Sequence, residues 1–163
     1  MKNISVYIWT IASLSLFAGG SITILFIFIP FWYSLQPTEL MQWFTDFGPI
    51  VGITMLPMQI IPLLLSAYSY ILSKKRKEEY KKLWLFVNLS NVFILIMFFA
   101  YFLPVNFLFV NQTMHPGDVT NELIRWEIMH VARTILSVLS FVIAIAAIKK
   151  TFAGLLINMK ISC

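Results

Sequence analysis

The residues best suited to chemistry lie at the mouth of the last apolar run: Arg125, Trp126, His130 and Arg133, within the stretch from Glu122 to Arg133. Histidine exchanges protons near neutral pH. Arginine stays charged and holds an anionic oxygen through two parallel hydrogen bonds. Tryptophan offers an aromatic ligand a stacking face, and Asn106, which span lengths put at a similar depth, offers a donor and an acceptor. Such a set suits a flat aromatic phenol or enol whose anion forms during reaction. His130 would take the proton and Arg133 would stabilise the oxyanion, while Asn106, Arg125 and Trp126 hold the substrate. At about 100° per residue, Glu122, Trp126, Met129, His130 and Arg133 share one helix side, with Arg125 at its edge. Charges beside lipid cost several kcal/mol each, on a contested scale, unless something pairs with them. This side is therefore expected to face a bundle interior or a pocket. The competing structural roles are a Glu122–Arg125 ion pair, snorkelling of Arg133 to headgroups, and interfacial anchoring by Trp126.

These residues need a membrane scaffold to position them. Of the 163 residues, 60% are hydrophobic and only 12% charged, and the mean hydropathy is +0.84. A soluble domain is nearer half apolar and about a quarter charged. Four stretches can cross a core that needs about 20 apolar residues, at about 4–33, 49–72, 83–103 and 129–148, with a tail at 149–163. The expected fold is all-α: one domain, an integral membrane four-helix bundle. The first run continues through Phe31-Trp32-Tyr33, far past a signal's apolar region of about 7–15 residues, and reads as an uncleaved anchor.

The net charge of +5 is a topology signal rather than a sign of nucleic-acid binding. Lys2, the cluster of Lys74, Lys75, Arg76, Lys77, Lys81 and Lys82, and Lys149, Lys150 and Lys160 share one side; Arg125 and Arg133 are the only basic residues on the other. The positive-inside rule then puts both termini in the cytoplasm. The expected location is a bacterial inner membrane, with the lipid bilayer as the first partner. The single Cys163 permits no disulfide within the chain.

Along the chain, Gly19-Gly20-Ser21 invites close approach of another helix. Phe31-Trp32-Tyr33 reads as an aromatic belt. Pro37 opens a short helix whose Leu40, Met41, Trp43 and Phe44 would lie on the outer membrane surface. Gln59, Asn88 and Asn91 read as polar links between helices. Pro104 is expected to loosen the third span at Leu103, and Asp118 to cap the last helix. That helix lacks 30 Å of apolar length below Thr134, so the membrane should reach His130, with Arg133 in the outer leaflet.

No glycine-rich phosphate loop, structural-metal run or serine-nucleophile motif is present. His115, Glu122 and His130 match no metal-ligand spacing, and His130 alone near span depth does not suit a bis-histidine haem. Neither metal nor cofactor is expected.

Phe17-Ala-Gly-Gly20 with Ile29-Pro-Phe-Trp32, Ser34 to Leu40 with Trp43-Phe44, Pro104-Val-Asn106, and Arg125-Trp126 with His130-Val-Ala-Arg133 together resemble the anthrone oxygenase-like family of small four-span membrane proteins. The likeness covers most of residues 10 to 148. It implies oxidation of an anthrone or related polycyclic phenol by molecular oxygen without a bound cofactor, with His130, Arg133, Trp126, Arg125 and Asn106 at the matching positions. Such a substrate is flat, apolar and weakly acidic, and would arrive through lipid. The alternative expectation is a non-catalytic membrane subunit or a quinone- or lipid-binding protein, with a homo-oligomer or membrane-complex partner. A small transporter is disfavoured by a single polar cluster.

Overall fold

Along the last helix a buried seam runs through Val119, Leu123, Trp126, His130, Arg133, Ser137, Ser140, Ala144, Ala147 and Thr151, with Thr134 and Ile148 buried beside it. The steps alternate between four and three residues. That period of 3.5 belongs to helices wrapped around one another in a bundle. The computed structural model describes residues 4–161, with side chains through Thr151. Four helices in it are long and apolar enough to cross a membrane. We label them α1 (Ile4–Tyr33), α2 (Pro37–Lys75), α3 (Lys81–Val110) and α4 (Pro116–Ile161). Each packs on its neighbours in sequence and α1 closes against α4, so the order around the bundle is α1–α2–α3–α4. The outside is apolar: Phe26, Ile53, Leu64 and Ile128 are all exposed, as lipid-facing residues are.

Three helices are longer than the sequence suggests. Pro37 does not begin a separate surface helix. It opens α2 itself, which runs unbroken to Lys75 through Pro49, Pro57 and Pro62. The Gln36 amide donates to the Glu39 carboxylate at 2.8 Å, completing a capping box. Leu40, Met41 and Phe44 consequently pack in the core instead of on a membrane surface. α3 passes through Pro104 to Val110. α4 starts at Pro116, with Asp118 in its first turn; the capping role belongs to His115, whose Nδ1 accepts from the Gly117 amide at 3.1 Å.

The same device carries α1 and α3 past a proline. A π-helical segment, Ile24–Phe28 in α1 and Phe98–Phe102 in α3, ends two residues before Pro30 and Pro104 respectively. Proline lacks an amide hydrogen and its ring collides with the carbonyl four residues back. The wider π turn gives that ring room. One extra residue also rotates everything beyond it. The buried seam of α1 runs through Tyr7, Thr10, Leu14, Phe17, Ser21 and Ile24, then skips to Ile29 and Trp32. In α3 it likewise jumps from Met97 to Phe102. Trp32 and Phe102 face inward at the far ends of these segments, where the site lies.

The two core clusters divide the bundle along its length. The basic half, beside the lysine-rich connection at 74–82, holds Tyr7, Leu14, Trp84, Val87, Ala144 and Ala147. The distal half holds Ile24, Trp32, Phe44, Phe102, Phe109 and Trp126 among others.

Candidate functional site

Arg133 lies in the distal half of the bundle, against Phe102 of α3 and, through His130, Ser21 of α1. It is 8% exposed, so it does not snorkel to headgroups. Its burial follows from the 3.5-residue seam, which puts positions 126, 130 and 133 on the interior face. Arg133 Nη2 contacts His130 Nδ1 at 2.7 Å, and His130 Nε2 contacts the Ser21 carbonyl at 2.9 Å. A guanidinium has no acceptor and a carbonyl no donor, which fixes the roles. His130 is the neutral Nε2–H tautomer, accepting from Arg133 and donating to Ser21. Both ring nitrogens are thereby engaged, and the residue is fully buried. In this arrangement His130 positions Arg133; its lone pair is not free to take a proton.

Aromatic rings surround the pair. Trp126 stacks on His130 with ring centres 5.0 Å apart and planes 12° from parallel. The Arg133 guanidinium lies over the Phe102 ring at 4.2 Å, a cation–π contact. Trp32 meets Trp126 and Trp43 edge to face at 5.2 and 5.0 Å. Trp126 Nε1 donates to Asn106 Oδ1 at 3.0 Å, so Asn106 fixes the indole that covers the histidine. Asn106 is therefore level with Trp126, about two turns distal of Arg133 rather than beside it.

These side chains enclose a cavity of about 80 Å³ at the centre of all four helices. Its wall includes Trp32 from α1, Trp43 and Gln59 from α2, Phe102 and Asn106 from α3, and Trp126 and Arg133 from α4. Three buried N–H donors on that wall have no acceptor among the described residues: Arg133 Nε, Gln59 Nε2 and Trp32 Nε1. No carboxylate pairs with Arg133 among the described residues; the two ion pairs are Arg76–Glu78 and Arg125–Glu122. Unmet buried donors cost about 1–3 kcal/mol each, and more when charged. An acceptor placed among them, above all an oxygen bearing negative charge, would offset that cost.

The structure thus gathers Asn106, Trp126 and Arg133 on one wall and sets His130 directly behind them. It does not bring in Arg125, which is exposed and paired with Glu122 at 3.3 Å. Glu122 also accepts from the Tyr101 hydroxyl at 2.8 Å. Gln59 links no helices; its amide nitrogen is one of the orphans. Asn88 does bridge, donating to the Leu63 carbonyl at 3.3 Å and Ser66 Oγ at 3.2 Å of α2, whereas Asn91 bonds within its own helix. Among the described residues, no group of three His, Cys, Asp or Glu side chains converges as a metal site would require. Trp32, Gln59 and Phe102 complete the site without having been singled out as site residues.

Fold and site together define a multi-pass helical membrane protein with a donor-lined, aromatic-walled cavity among its four helices. No family model, curated protein or solved structure matches the chain, so the geometry carries the functional argument.

Proposed function

We propose that this protein binds, within the membrane, a flat ring compound whose oxygen is acidic or strongly polarised: a phenol, enol or quinone. The observation that carries this reading is that Arg133, Gln59 and Trp32, which line one cavity, each carry a buried N–H without an acceptor among the described residues. The oxygen accepts from these donors. The ring stacks among Trp32, Trp43 and Trp126, where aromatic contacts contribute about 0.5–1.5 kcal/mol each beyond burial. His130 and Phe102 hold the guanidinium in position.

The family resemblance adds a reaction to this binding site. Arg133 would favour the enolate of an anthrone over its neutral form, and the electron-rich enolate would react with molecular oxygen in a site shielded from water. The proton cannot go to His130 while Arg133 occupies Nδ1. Either the pair parts when the neutral anthrone arrives and His130 Nδ1 takes its proton, or the substrate loses that proton to water before it enters; oxygen then adds at the ring carbon of the enolate and leaves anthraquinone and water. The engagement of both His130 nitrogens favours the second reading, a non-catalytic quinone- or lipid-binding subunit, over histidine-based catalysis. Incubating the purified protein with an anthrone and oxygen separates the two. Anthraquinone formation above the uncatalysed rate, lost in Arg133→Met, supports the oxygenase; binding without turnover supports the subunit.

We also infer that the basic end of the bundle faces the cytoplasm of a bacterial inner membrane, because ten of the twelve Lys and Arg residues lie at that end of the sequence pattern. A cysteine probe at residue 113 should then react with an external reagent and one at residue 76 should not; the opposite pattern inverts the orientation.

A further inference from the structure

The cavity is small for its proposed guest. About 80 Å³ is near half of the ~150 Å³ that admits benzene in an engineered apolar core. A groove of about 340 Å³ on the outside of the bundle shares Gly48, Gly52, Leu56, Phe98, Asn106 and Val110 with the cavity wall. Those residues lie on the facing sides of α2 and α3. Two sets of hydrogen bonds frame the opening between these helices. On the distal side Thr45 Oγ1 donates to the Val110 carbonyl at 2.8 Å. On the basic side Asn88 reaches Leu63 and Ser66. Between the frames no residue of α2 from Thr45 to Met58 is fully buried. At Gly48 the helices still touch, a Cβ there lying 3.2 Å from Val110, so the gap opens at Gly52. A Cβ added at Gly52 would meet nothing within 4 Å.

We propose that this gap is a side window into the membrane, and that it seats a hydrocarbon substituent of the ligand whose ring oxygen is held at Arg133. This rests on the ring-binding reading above and narrows its substrate class to lipid-soluble phenols or quinones carrying an apolar chain. The cavity takes the oxygen and the near part of the ring. The groove takes what the cavity cannot hold. The groove walls are apolar, with Ile53 and Phe107 exposed at its rim, so the occupant there is hydrocarbon rather than a headgroup. Entry and exit run through lipid, without passage across a polar loop.

The test uses the full chain in lipid nanodiscs and two probes, trimethyl-1,4-benzoquinone bearing either a decyl or a methyl group at its remaining ring position. Ile53→Trp narrows the outer rim of the groove, away from the cavity wall. It should weaken binding of the decyl probe tenfold or more while leaving the tetramethyl probe within threefold. Ile53→Leu should leave both unchanged. Phe107→Ala, which widens the same rim, should leave the tetramethyl probe unchanged and confirms that the rim variants fold. Unchanged decyl binding in Ile53→Trp, with both probes weakened by Arg133→Met, overturns the window and leaves the cavity reading standing. Unchanged binding of both probes in Arg133→Met overturns the cavity reading, and the window with it.

Discussion

The two halves of this bundle use the same helices and the same seam to opposite ends. In the basic half the α4 seam is Ser137, Ser140, Ala144 and Ala147, small enough for neighbouring helices to close over Tyr7 and Trp84, whose rings stack at 4.9 Å. Polar atoms there mostly find one another: Thr10 with Ser69 at 2.8 Å, Asn88 with Ser66, and the Tyr7 hydroxyl with Glu78 at 3.2 Å. Those left over, Trp84 Nε1, Asn91 Oδ1 and Ser140 Oγ, are of mixed character and border neither the cavity nor its groove. In the distal half the seam becomes Trp126, His130 and Arg133. The bulk holds the helices apart, and the leftover groups on the cavity wall are all donors. Residue size along one stripe separates a half that packs from a half that binds.

That contrast can be broken most forcefully by exchanging bulk. Ala147→Phe introduces a ring where nothing is exposed, and overpacking typically costs about 1–3 kcal/mol or more. We expect this variant to lose most of its yield, or several degrees of melting temperature in detergent. Val51→Phe adds a ring on the cavity wall and should melt within a degree or two of the parent. Equal losses at both positions would mean that the distal half is packed as tightly as the basic half.

A second contrast lies inside the site. His130→Ala strips Arg133 Nη2 and the Ser21 carbonyl of their partner, at a cost of about 1–3 kcal/mol. Arg133→Met removes the buried charge itself, a change that is often neutral or stabilising when shape is kept. Thermal melts should therefore rank His130→Ala below Arg133→Met, although both abolish ligand binding. The reverse ranking would point to an anionic partner of Arg133 within the protein.

Smaller effects are expected at the edges. Asn106→Ala leaves the Trp126 indole without its acceptor and should cost about 1 kcal/mol of stability with a several-fold loss of affinity. Arg125→Ala breaks only an exposed ion pair and should change stability by less than about 0.5 kcal/mol and binding not at all. A binding defect in Arg125→Ala equal to that of Asn106→Ala would return Arg125 to the site.

Four apolar runs and the one-sided pattern at 126, 130 and 133 made the helical class, the number of spans and the heart of the site legible in the sequence. At Gly20 the neighbour is the flexible end of the Met55 side chain, 3.1 Å from where a Cβ would lie, and at Gly19 nothing lies within 4 Å, so no helix backbone approaches this pair closely. What escaped was anything set by backbone register. Trp32 reads as part of an aromatic belt because it sits in Phe31-Trp32-Tyr33 at the end of its apolar run, yet it is buried in the distal core. Pro104 read as a terminus because proline disfavours helix at the preceding residue, yet the π segment at Phe98–Phe102 carries α3 through it. The extent of the buried seam was not legible either: it continues distally from Arg133 to Val119, beyond the apolar run of the last span. The occupation of both His130 nitrogens depends on a carbonyl 109 residues away, which no local pattern announces.

The central claim is that Arg133 Nε awaits an acceptor from outside the protein. Nitrogen NMR of the arginine side chains tests this directly, because the chain has only Arg76, Arg125 and Arg133. On titration with tetramethyl-1,4-benzoquinone in nanodiscs, the Arg133 Nε–H resonance should shift saturably and its exchange with water should slow, while Arg125 stays where it was. A saturable shift of Arg125 with Arg133 unmoved, or no shift at any arginine, would contradict the account.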